Sequence, residues 1–404
     1  MLIKLAWKNI WRSKTRSLVV IIAVALGLWA GAFMMAFSLG MSEQRIRTLI
    51  ANETSHFQFH HPDFKSDYDL KLAITGSDAI LDKLAHDDRV SAYSPRIVLN
   101  GMSASSSTNG PALIVAIDPD KENATSALSS LLIDGEYFPE SHSKPIIVGS
   151  KMAEKLKLKI RSRVVLNFQD PEGNISQGLF RVCGIFKTTN AAMNEMQVFV
   201  RRDQMANILG LEGAVYEIAV KLKDDALLSE ITTEYKTSYP AVLIEDWGEI
   251  APETKLYSKM LDQSMSMIMV IILLALIFGI INTMLMAVLE RTREFGMLMA
   301  VGMRRRKVFA LVMIETVFLV LVGVPLGLFI AWASISYFGH VGIDLSILAQ
   351  GLESLGWSSM VYPELAASYY TEIIFQVVIA AFLAAIYPAW KALRLKPVDA
   401  IRTI

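Results

Sequence analysis

Few residues in this 404-residue chain have the types and spacing needed for metal binding or redox chemistry. His56, His60 and His61 lie close together in the sequence, and imidazole is a common metal ligand. No run of acids or cysteines accompanies them, so we interpret them as the end of a strand beside a turn and predict no metal site. Cys183 is the single cysteine, which excludes a disulfide within the chain and favours a small core residue of a strand.

The motifs that mark nucleotide hydrolysis and nucleophilic catalysis are absent from the sequence. It contains no G-x-x-x-x-G-K-[ST] loop to hold phosphates, no H-E-x-x-H pair to hold zinc, and no nucleophile elbow. We therefore predict that the chain is not an enzyme and binds no cofactor of its own.

Glu315 is the one carboxylate inside a long apolar segment of the chain. A charged side chain in hydrocarbon is costly, so such a residue is a candidate functional site. At about 1.5 Å per helical residue, it lies roughly 10 Å from the start of its segment. Two interpretations stay open: a functional charge, or a charge that pairs with Arg305, Arg306 or a helix end and anchors the packing. A proton relay is not favoured, because no second acid lies within a span.

The segment at 290–307 joins two apolar segments and is charged at both ends. Its apolar middle, residues 295–303, is too short to cross a bilayer of about 30 Å. Six basic residues against two acids predict that this loop is cytoplasmic. Two interpretations remain: a short apolar helix that a cytosolic partner grips, or a helix that rests among the lipid headgroups.

Four long apolar segments predict four membrane-spanning helices, at 18–40, 264–289, 308–338 and 372–390. The first has no signal-peptide cleavage pattern and is interpreted as an uncleaved helix. Within it, Ala23, Gly27 and Gly31 recur every four residues and would let another helix approach closely. That helix could belong to this chain or to another subunit.

The distribution of basic residues predicts the topology. Residues 1–17, the loop at 290–307 and the tail at 391–404 are basic, whereas the loop at 339–371 contains no Lys or Arg. Four spans with both termini in the cytoplasm satisfy this pattern. Residues 41–262 then form an extracytoplasmic domain, and their alternating β-rich and helical runs predict an α+β fold.

Residues 1–17 have the pattern of an amphipathic helix at the membrane surface. One face carries Ile3, Trp7, Ile10 and Trp11, and another carries Lys4, Lys8 and Arg12. Tryptophan opposite cations is typical of a helix on the anionic lipids of an inner leaflet. A nucleic-acid-binding arm is not favoured, because its tryptophans would be exposed.

Three stretches resemble those of FtsX-like permease domains. Residues 282–302, NTMLMAVLERTREFGMLMAVG, are similar to the E-R-x-x-E-[FI]-G-x-L-x-A-x-G run of that family. Residues 387–402 resemble its P-A-x-x-A-x-x-x-x-P-x-x-A-[IL]-R ending, and residues 7–17 resemble its basic lead-in. The layout of one helix before a large extracytoplasmic domain and three after it also resembles MacB and LolCDE-type transporters.

The resemblance implies the membrane subunit of a type VII ABC transporter in a bacterial inner membrane. In that family two permease chains, identical or paralogous, pair with two cytosolic ATPase subunits that bind ATP and Mg²⁺. The coupling helix that docks on each ATPase would be Glu294, Phe295, Gly296, Met297, Leu298, Met299, Ala300, Val301, Gly302 and Met303. Its anchors would be Phe295, Met297, Leu298 and Met299, with close backbone approach at Gly296 and Gly302. ATP-driven movement would pass through the spans to the outer domain, which is called mechanotransmission.

Four segments of the extracytoplasmic domain indicate which branch of the family the chain resembles. Residues 132–138, 146–150, 183–186 and 247–252 resemble the lipoprotein-releasing LolC and LolE permeases, whereas residues 11–16 fit the wider export branch better. We therefore expect extraction of a lipoprotein, with a periplasmic chaperone as acceptor. The alternatives are an efflux permease of the MacB type without the fused ATPase of MacB, and an FtsX-like signal relay.

Overall fold

The computed structural model describes residues 2–12, 14–354 and 356–393, and it divides into two compact units. The membrane unit comprises Met1–Ser42, Ser258–Asp344 and Met360–Ile404, and the globular unit comprises Glu43–Tyr257 and Leu345–Ser359. The predicted cytoplasmic tail lies outside the described residues from position 394 onward.

The helices and strands alternate along the chain in the described residues. The helices are α1 (Leu2–Arg12), α2 (Lys14–Leu49), α3 (Phe64–Asp67), α4 (Ser77–His86), α5 (Pro119–Ser126), α6 (Ser150–Lys155), α7 (Ala191–Met196), α8 (Arg202–Leu209), α9 (Leu228–Ser238), α10 (Trp247–Ile250), α11 (Pro252–Glu290), α12 (Thr292–Ala300), α13 (Arg305–Val341), α14 (Ala349–Ser354) and α15 (Ala367–Leu393). The strands are β1 (Phe57–His60), β2 (Val90–Ala104), β3 (Asn109–Ile117), β4 (Leu132–Gly135), β5 (Pro145–Gly149), β6 (Arg163–Gln169), β7 (Ile175–Phe186), β8 (Gln197–Arg201), β9 (Glu217–Leu222), β10 (Leu243–Asp246), β11 (Ile343–Asp344) and β12 (Met360–Val361).

Four of the helices, α2, α11, α13 and α15, are long and apolar enough to cross a membrane. The predicted class, one such helix before a mixed domain and three after it, is confirmed. The helices run beyond the apolar segments: α2 continues past Gly40 to Leu49, and α11 begins at Pro252. Hydropathy marks the apolar part of a helix, whereas the helix itself continues through polar residues until a residue or contact ends it. Pro252 at the first helical position is one such signal.

Helix α1 ends at Arg12, so residues 14–17 belong to α2 rather than to the predicted amphipathic helix. The face of α1 that is buried is formed by Ala6 and Ile10, and α1 packs on α13. Of the predicted apolar face, Ile3, Trp7 and Trp11 are exposed. The prediction gave weight to large side chains and none to Ala6, which stands one turn before Ile10 and completes the buried stripe.

The small residues of α2 pack on α11 of the same chain. Gly27 faces Leu276, and Gly31 faces Met269, whose Cε lies 3.0 Å from where a Cβ would stand. Ala23 is half-buried. The helix that the sequence left unassigned at Gly27 and Gly31 is therefore α11.

A second small-residue pair, Gly323 and Gly327 of α13, brings that helix against α2. A Cβ at Gly323 would lie 2.9 Å from Val24, and a Cβ at Gly327 would lie 2.8 Å from the carbonyl oxygen of Ala25. The spacing of four is the same as in α2, although Pro325 stands between the two glycines. This pair was not predicted from the sequence.

The globular unit is built on one sheet in the order β10-β1-β9-β2-β3-β8-β5-β7-β4, with β6 paired to β2 and β7. The long strand β2 belongs to two lobes: its first half pairs with β9 and its second half with β3 and β6. Each lobe has its own hydrophobic core. Cys183 is buried in β7, which confirms the expectation of a core residue.

The segment at 339–371, predicted as an extracytoplasmic loop, is divided between the two units. Strands β11 and β12 pair antiparallel and hold its base in the membrane unit. Residues 345–359 belong to the globular unit, where the ring of Trp357 lies 5.1 Å from that of Tyr257. The pairing of β11 with β12 was not predicted, because the two strands are too far apart in the sequence to give a hairpin signal.

Candidate functional site

Helix α12 lies in the membrane unit between α11 and α13, inside the segment predicted to contact a cytosolic partner. It ends in a Schellman motif: the backbone N–H of Met303 donates to the carbonyl of Leu298, and that of Gly302 donates to Met299. Gly302 has φ +102°, a backbone conformation that L-residues other than glycine rarely adopt. Nothing in the described part of this chain lies within 4 Å of where its Cβ would stand, so within the permease the glycine serves the turn. Its close approach to a partner stays a prediction.

The predicted anchors of α12 do not all point outward. Phe295 is 1% exposed and packs in the core of the membrane unit beneath the guanidinium of Arg291, and Gly296 is buried as well. The expectation that Phe295 fills a partner's groove was therefore wrong. The side of a short helix that faces its own protein depends on how the flanking helices hold it, which the sequence does not reveal.

An apolar edge of α12 is nevertheless free of the membrane unit. Met297 is 55% exposed and Val301 is 90% exposed, and Ala300 and Gly302 beside them are exposed too. The remaining predicted contact residues are partly buried: Glu294, Leu298, Met299 and Met303. The basic residues at 304–307 are all exposed next to this edge.

Glu315 is buried in α13 and has two partners from other elements. The Nη1 of Arg291 lies 3.1 Å from each carboxylate oxygen, and the Nδ2 of Asn9 donates to Oε1 at 2.6 Å. The predicted partners Arg305 and Arg306 were wrong. They begin α13 itself, and about 15 Å of helix separates Arg305 from Glu315.

The contacts of Glu315 continue outward through Arg291. The Nε of Arg291 donates to Glu294 at 2.9 Å, and Arg12 lies 2.8 Å from the other carboxylate oxygen of Glu294. Asn9, Arg12, Arg291, Glu294 and Glu315, together called the charge cluster below, thus join α1, the start of α12 and α13. Side-chain exposure rises along it from 7% at Glu315 to 73% at Arg12.

Comparison with known proteins places this arrangement in a family. Residues 17–237, more than half of the chain, match the MacB-like periplasmic core domain, and residues 266–397 match the FtsX-like permease C-terminal family. The chain belongs to the FtsX-like permeases of type VII ABC transporters. Its globular unit is therefore the extracytoplasmic domain of the permease. Helix α12, Arg291 and Glu315 lie inside the matched segment 266–397, whereas Asn9 and Arg12 precede both matched segments.

Individual relatives of the permease carry three different names. An uncharacterised ABC transporter permease of Methanocaldococcus jannaschii is 25% identical over 67% of this chain and 65% of its own length. The macrolide export protein MacB of Agrobacterium fabrum is 22% identical over 86% of this chain and 54% of its own. The lipoprotein-releasing protein LolC of Xylella fastidiosa is 21% identical over 78% of each chain. This chain thus spans less than two thirds of the first two relatives.

Among solved structures, the periplasmic region of MacB from Actinobacillus actinomycetemcomitans aligns with 52% of the permease and 98% of its own chain. The sequence identity is 15% and the TM-score is 0.35.

A second buried charged group lies in the extracytoplasmic domain of the permease. Arg96 of β2 binds both carboxylate oxygens of Glu122 at 2.8 and 2.7 Å and donates to Glu217 at 2.6 Å. His60 lies 3.1 Å from Glu217 on the other side. Burial acts to raise the pKa of Glu217, but the hydrogen bond to His60 and the charge of Arg96 together lower it to about 2. We call these four residues the Arg96 network.

His56 and His60 both contact carboxylates of the protein. β1 ends at His60, which belongs to the Arg96 network, and His56 lies 2.8 Å from Asp225. In the described part of the chain, no group of three or more His, Cys, Asp or Glu side chains is placed to hold a metal ion.

Proposed function

We propose that this permease works with a separate cytosolic ABC ATPase and that α12 is the helix on which the ATPase acts. The observation that supports the proposal most directly is the way α12 is held by the rest of the membrane unit. Its inner side is fixed by buried Phe295, its end is fixed by the Schellman turn, and its apolar edge at Met297 and Val301 is free. A short helix that is rigid on one side and apolar on the other suits insertion into a groove.

The topology belongs to the same proposal. The basic residues at 304–307 stand beside the free edge of α12, and the positive-inside rule favours the cytoplasm for that face. Both termini are then cytoplasmic in a bacterial inner membrane. Two permease chains, identical or paralogous, would carry two coupling helices for two ATPase subunits, which hold the ATP and Mg²⁺.

For the substrate we propose a lipoprotein, which the transporter extracts from the membrane and passes to a periplasmic chaperone. The resemblance of 132–138 and 247–252 to lipoprotein-releasing permeases supports it, as does the LolC relative that matches 78% of each chain. Export of a drug or peptide is the second candidate, because other relatives carry the MacB name. A signal relay of the FtsX type is the third.

The test of the ATPase proposal is affinity purification of the permease from native membranes in mild detergent. We expect an ABC ATPase to co-purify with the unaltered chain and to be lost with Val301→Asp, because a carboxylate on the free edge would have to enter an apolar groove. Ile347→Asp is the matched control, since Ile347 is 99% exposed in the globular unit. Retention of the ATPase by Val301→Asp, or its absence from the unaltered chain, would overturn the proposal.

The same purification distinguishes the substrates by mass spectrometry. A bound triacylated lipoprotein is the result expected for extraction. A periplasmic adaptor protein would instead support export. An ATPase accompanied by an outer-surface hydrolase, with no lipid-bearing cargo, would support the signal relay.

A further inference from the structure

The amino-terminal helix α1 is attached to the coupling region by contacts that a membrane anchor would not need. Ala6 and Ile10 are buried, and the ring of Trp7 lies edge-on to Phe318 of α13 with centroids 5.6 Å apart. From the same helix, Asn9 reaches Glu315 and Arg12 reaches Glu294. One helix therefore touches both α13 and the start of α12.

Glu315 is the point at which the three elements meet. Its carboxylate accepts hydrogen bonds from Asn9 of α1 and from Arg291, the residue between α11 and α12. If α12 moved away from α13, Arg291 would leave a buried carboxylate without its counter-charge, which is strongly unfavourable. The charge cluster therefore resists separation of α12 from α13.

The surroundings leave the cluster little freedom to rearrange. The cavity beside Glu315, lined by Asn9, Ser17, Arg291 and apolar side chains, measures only about 20 Å³. That is roughly the room that one water molecule needs. The inner side chains, Asn9, Arg291 and Glu315, therefore have little room to swing to new partners while the helices stay in place.

We propose that the charge cluster is a clamp that makes α1, α12 and α13 move as one body, and that Glu315 is its positioning residue. Helix α1 is then part of the coupling apparatus as well as a surface helix. The inference rests on the proposed function, because the clamp transmits a movement that the ATPase would start. The carboxylate performs no chemistry: it fixes where the coupling helix stands.

The first test needs no ATPase. Spin labels are placed on two exposed positions, Lys8 of α1 and Met297 of α12, in the full permease with Cys183→Ala, in lipid nanodiscs. We expect one narrow distance with Glu315 intact and a second, longer-distance population with Glu315→Gln. Glu372→Gln, an exposed glutamate of α15, is the matched control and should leave the narrow distance unchanged. An unchanged distance in Glu315→Gln would overturn the clamp.

A double variant separates pairing from general damage. Arg291→Gln alone leaves the buried Glu315 without its counter-charge, and Glu315→Gln alone leaves Arg291 with Glu294 as its remaining partner, whereas the double variant removes both members of the buried pair. We therefore expect the double variant to show less of the longer-distance population than either single variant. Additive effects of the two changes would show that the residues act independently and would contradict the proposal.

The second test uses the permease with its co-purified ATPase, trapped with ATP and vanadate. Labels at Met267 of α11 and Tyr337 of α13, both exposed and far from α12, report whether movement reaches the remote part of the spans. We expect a distance change on trapping in the unaltered complex and in Glu372→Gln, and its loss in Glu315→Gln, although the ATPase still binds. The same change in Glu315→Gln would overturn the clamp. Failure of any ATPase to co-purify would overturn the proposed function instead, and the first test would still decide the clamp.

Discussion

The Arg96 network and the charge cluster, two of the buried charged groups of the permease, differ in how far they reach toward solvent. In the Arg96 network, all four residues are buried and every partner lies on the sheet or on the helix packed against it. The charge cluster is closed at Glu315 and open at Arg12, where the last guanidinium is in solvent. Breaking any ion pair of the closed network leaves a buried charge unpaired. In the open cluster, the exposed pair can break first without that cost.

The backbone around the two groups differs in the same sense. Arg96 pairs with Glu217 in the β2–β9 ladder, and the next residue, Ile97, already pairs with Ala116 of β3. The Arg96 network therefore sits where β2 passes from one lobe to the other, held by ladders on both sides. The elements of the charge cluster are joined only by side chains and by the short turns around α12. The comparison indicates a joint in the extracytoplasmic domain that backbone ladders hold, and a joint beside the coupling helix that the side chains of the charge cluster hold.

Breaking the Arg96 network should have the largest effect on the stability of the permease. Arg96→Met removes the guanidinium that binds both Glu122 and Glu217 and leaves two buried carboxylates, which we expect to cost about 3–5 kcal/mol of unfolding free energy. The loss of stability is measured as the midpoint of thermal unfolding of the purified permease, with proteolysis of the extracytoplasmic domain as the readout. Arg163→Met on the exposed side of β6 is the control. Equal midpoints for the two variants would show that the network contributes nothing to the joint.

Acid should loosen the same joint. The folded pKa of Glu217 is lowered from 4.5 to about 2, so its contribution is fully present above pH 4.5 and is lost as pH falls toward 2. This shift in the pKa of Glu217 corresponds to about 3 kcal/mol of unfolding free energy. Proteolysis at a series of pH values between 5 and about 2 reports the loss. In Glu217→Gln the domain should be less stable at neutral pH and lose less on acidification, and parallel curves for the two proteins would contradict this.

Helices α13 and α2 are packed too closely to accept an added side chain at their contact. Gly327→Ala would place a Cβ 2.8 Å from the carbonyl oxygen of Ala25, and we expect this overpacking between α13 and α2 to cost about 1–3 kcal/mol. Gly279→Ala in α11 is the matched control, because nothing lies within 4 Å of its Cβ position. Thermal aggregation in detergent gives the comparison. A midpoint as high for Gly327→Ala as for Gly279→Ala would mean that the two helices can shift apart freely.

The features that could be predicted from the sequence are those whose signal lies within one continuous stretch of the chain. Four apolar segments and a short apolar stretch between charges are continuous in the chain, so the spans and the existence of α12 were recognisable. The inward direction of Phe295 and the pairing of Arg291 with Glu315 depend on the angle between α11, α12 and α13, which no local pattern encodes. The pair Gly323 and Gly327 was recognisable, since it has the same spacing as Gly27 and Gly31.

The open end of the charge cluster should give the smallest effect. Arg12 is largely in solvent, so its pair with Glu294 is expected to contribute at most about 1 kcal/mol, and Arg12→Gln should barely change the unfolding midpoint. It should nevertheless add some of the longer-distance population between labels at Lys8 and Met297, less than Glu315→Gln adds, because it releases only the outer contact. Lys14→Gln, an exposed cation of α2, is the control. If Arg12→Gln produced as much of the longer-distance population as Glu315→Gln, the loss of the outer contact alone would release the whole cluster. The contrast with the closed Arg96 network would then be lost.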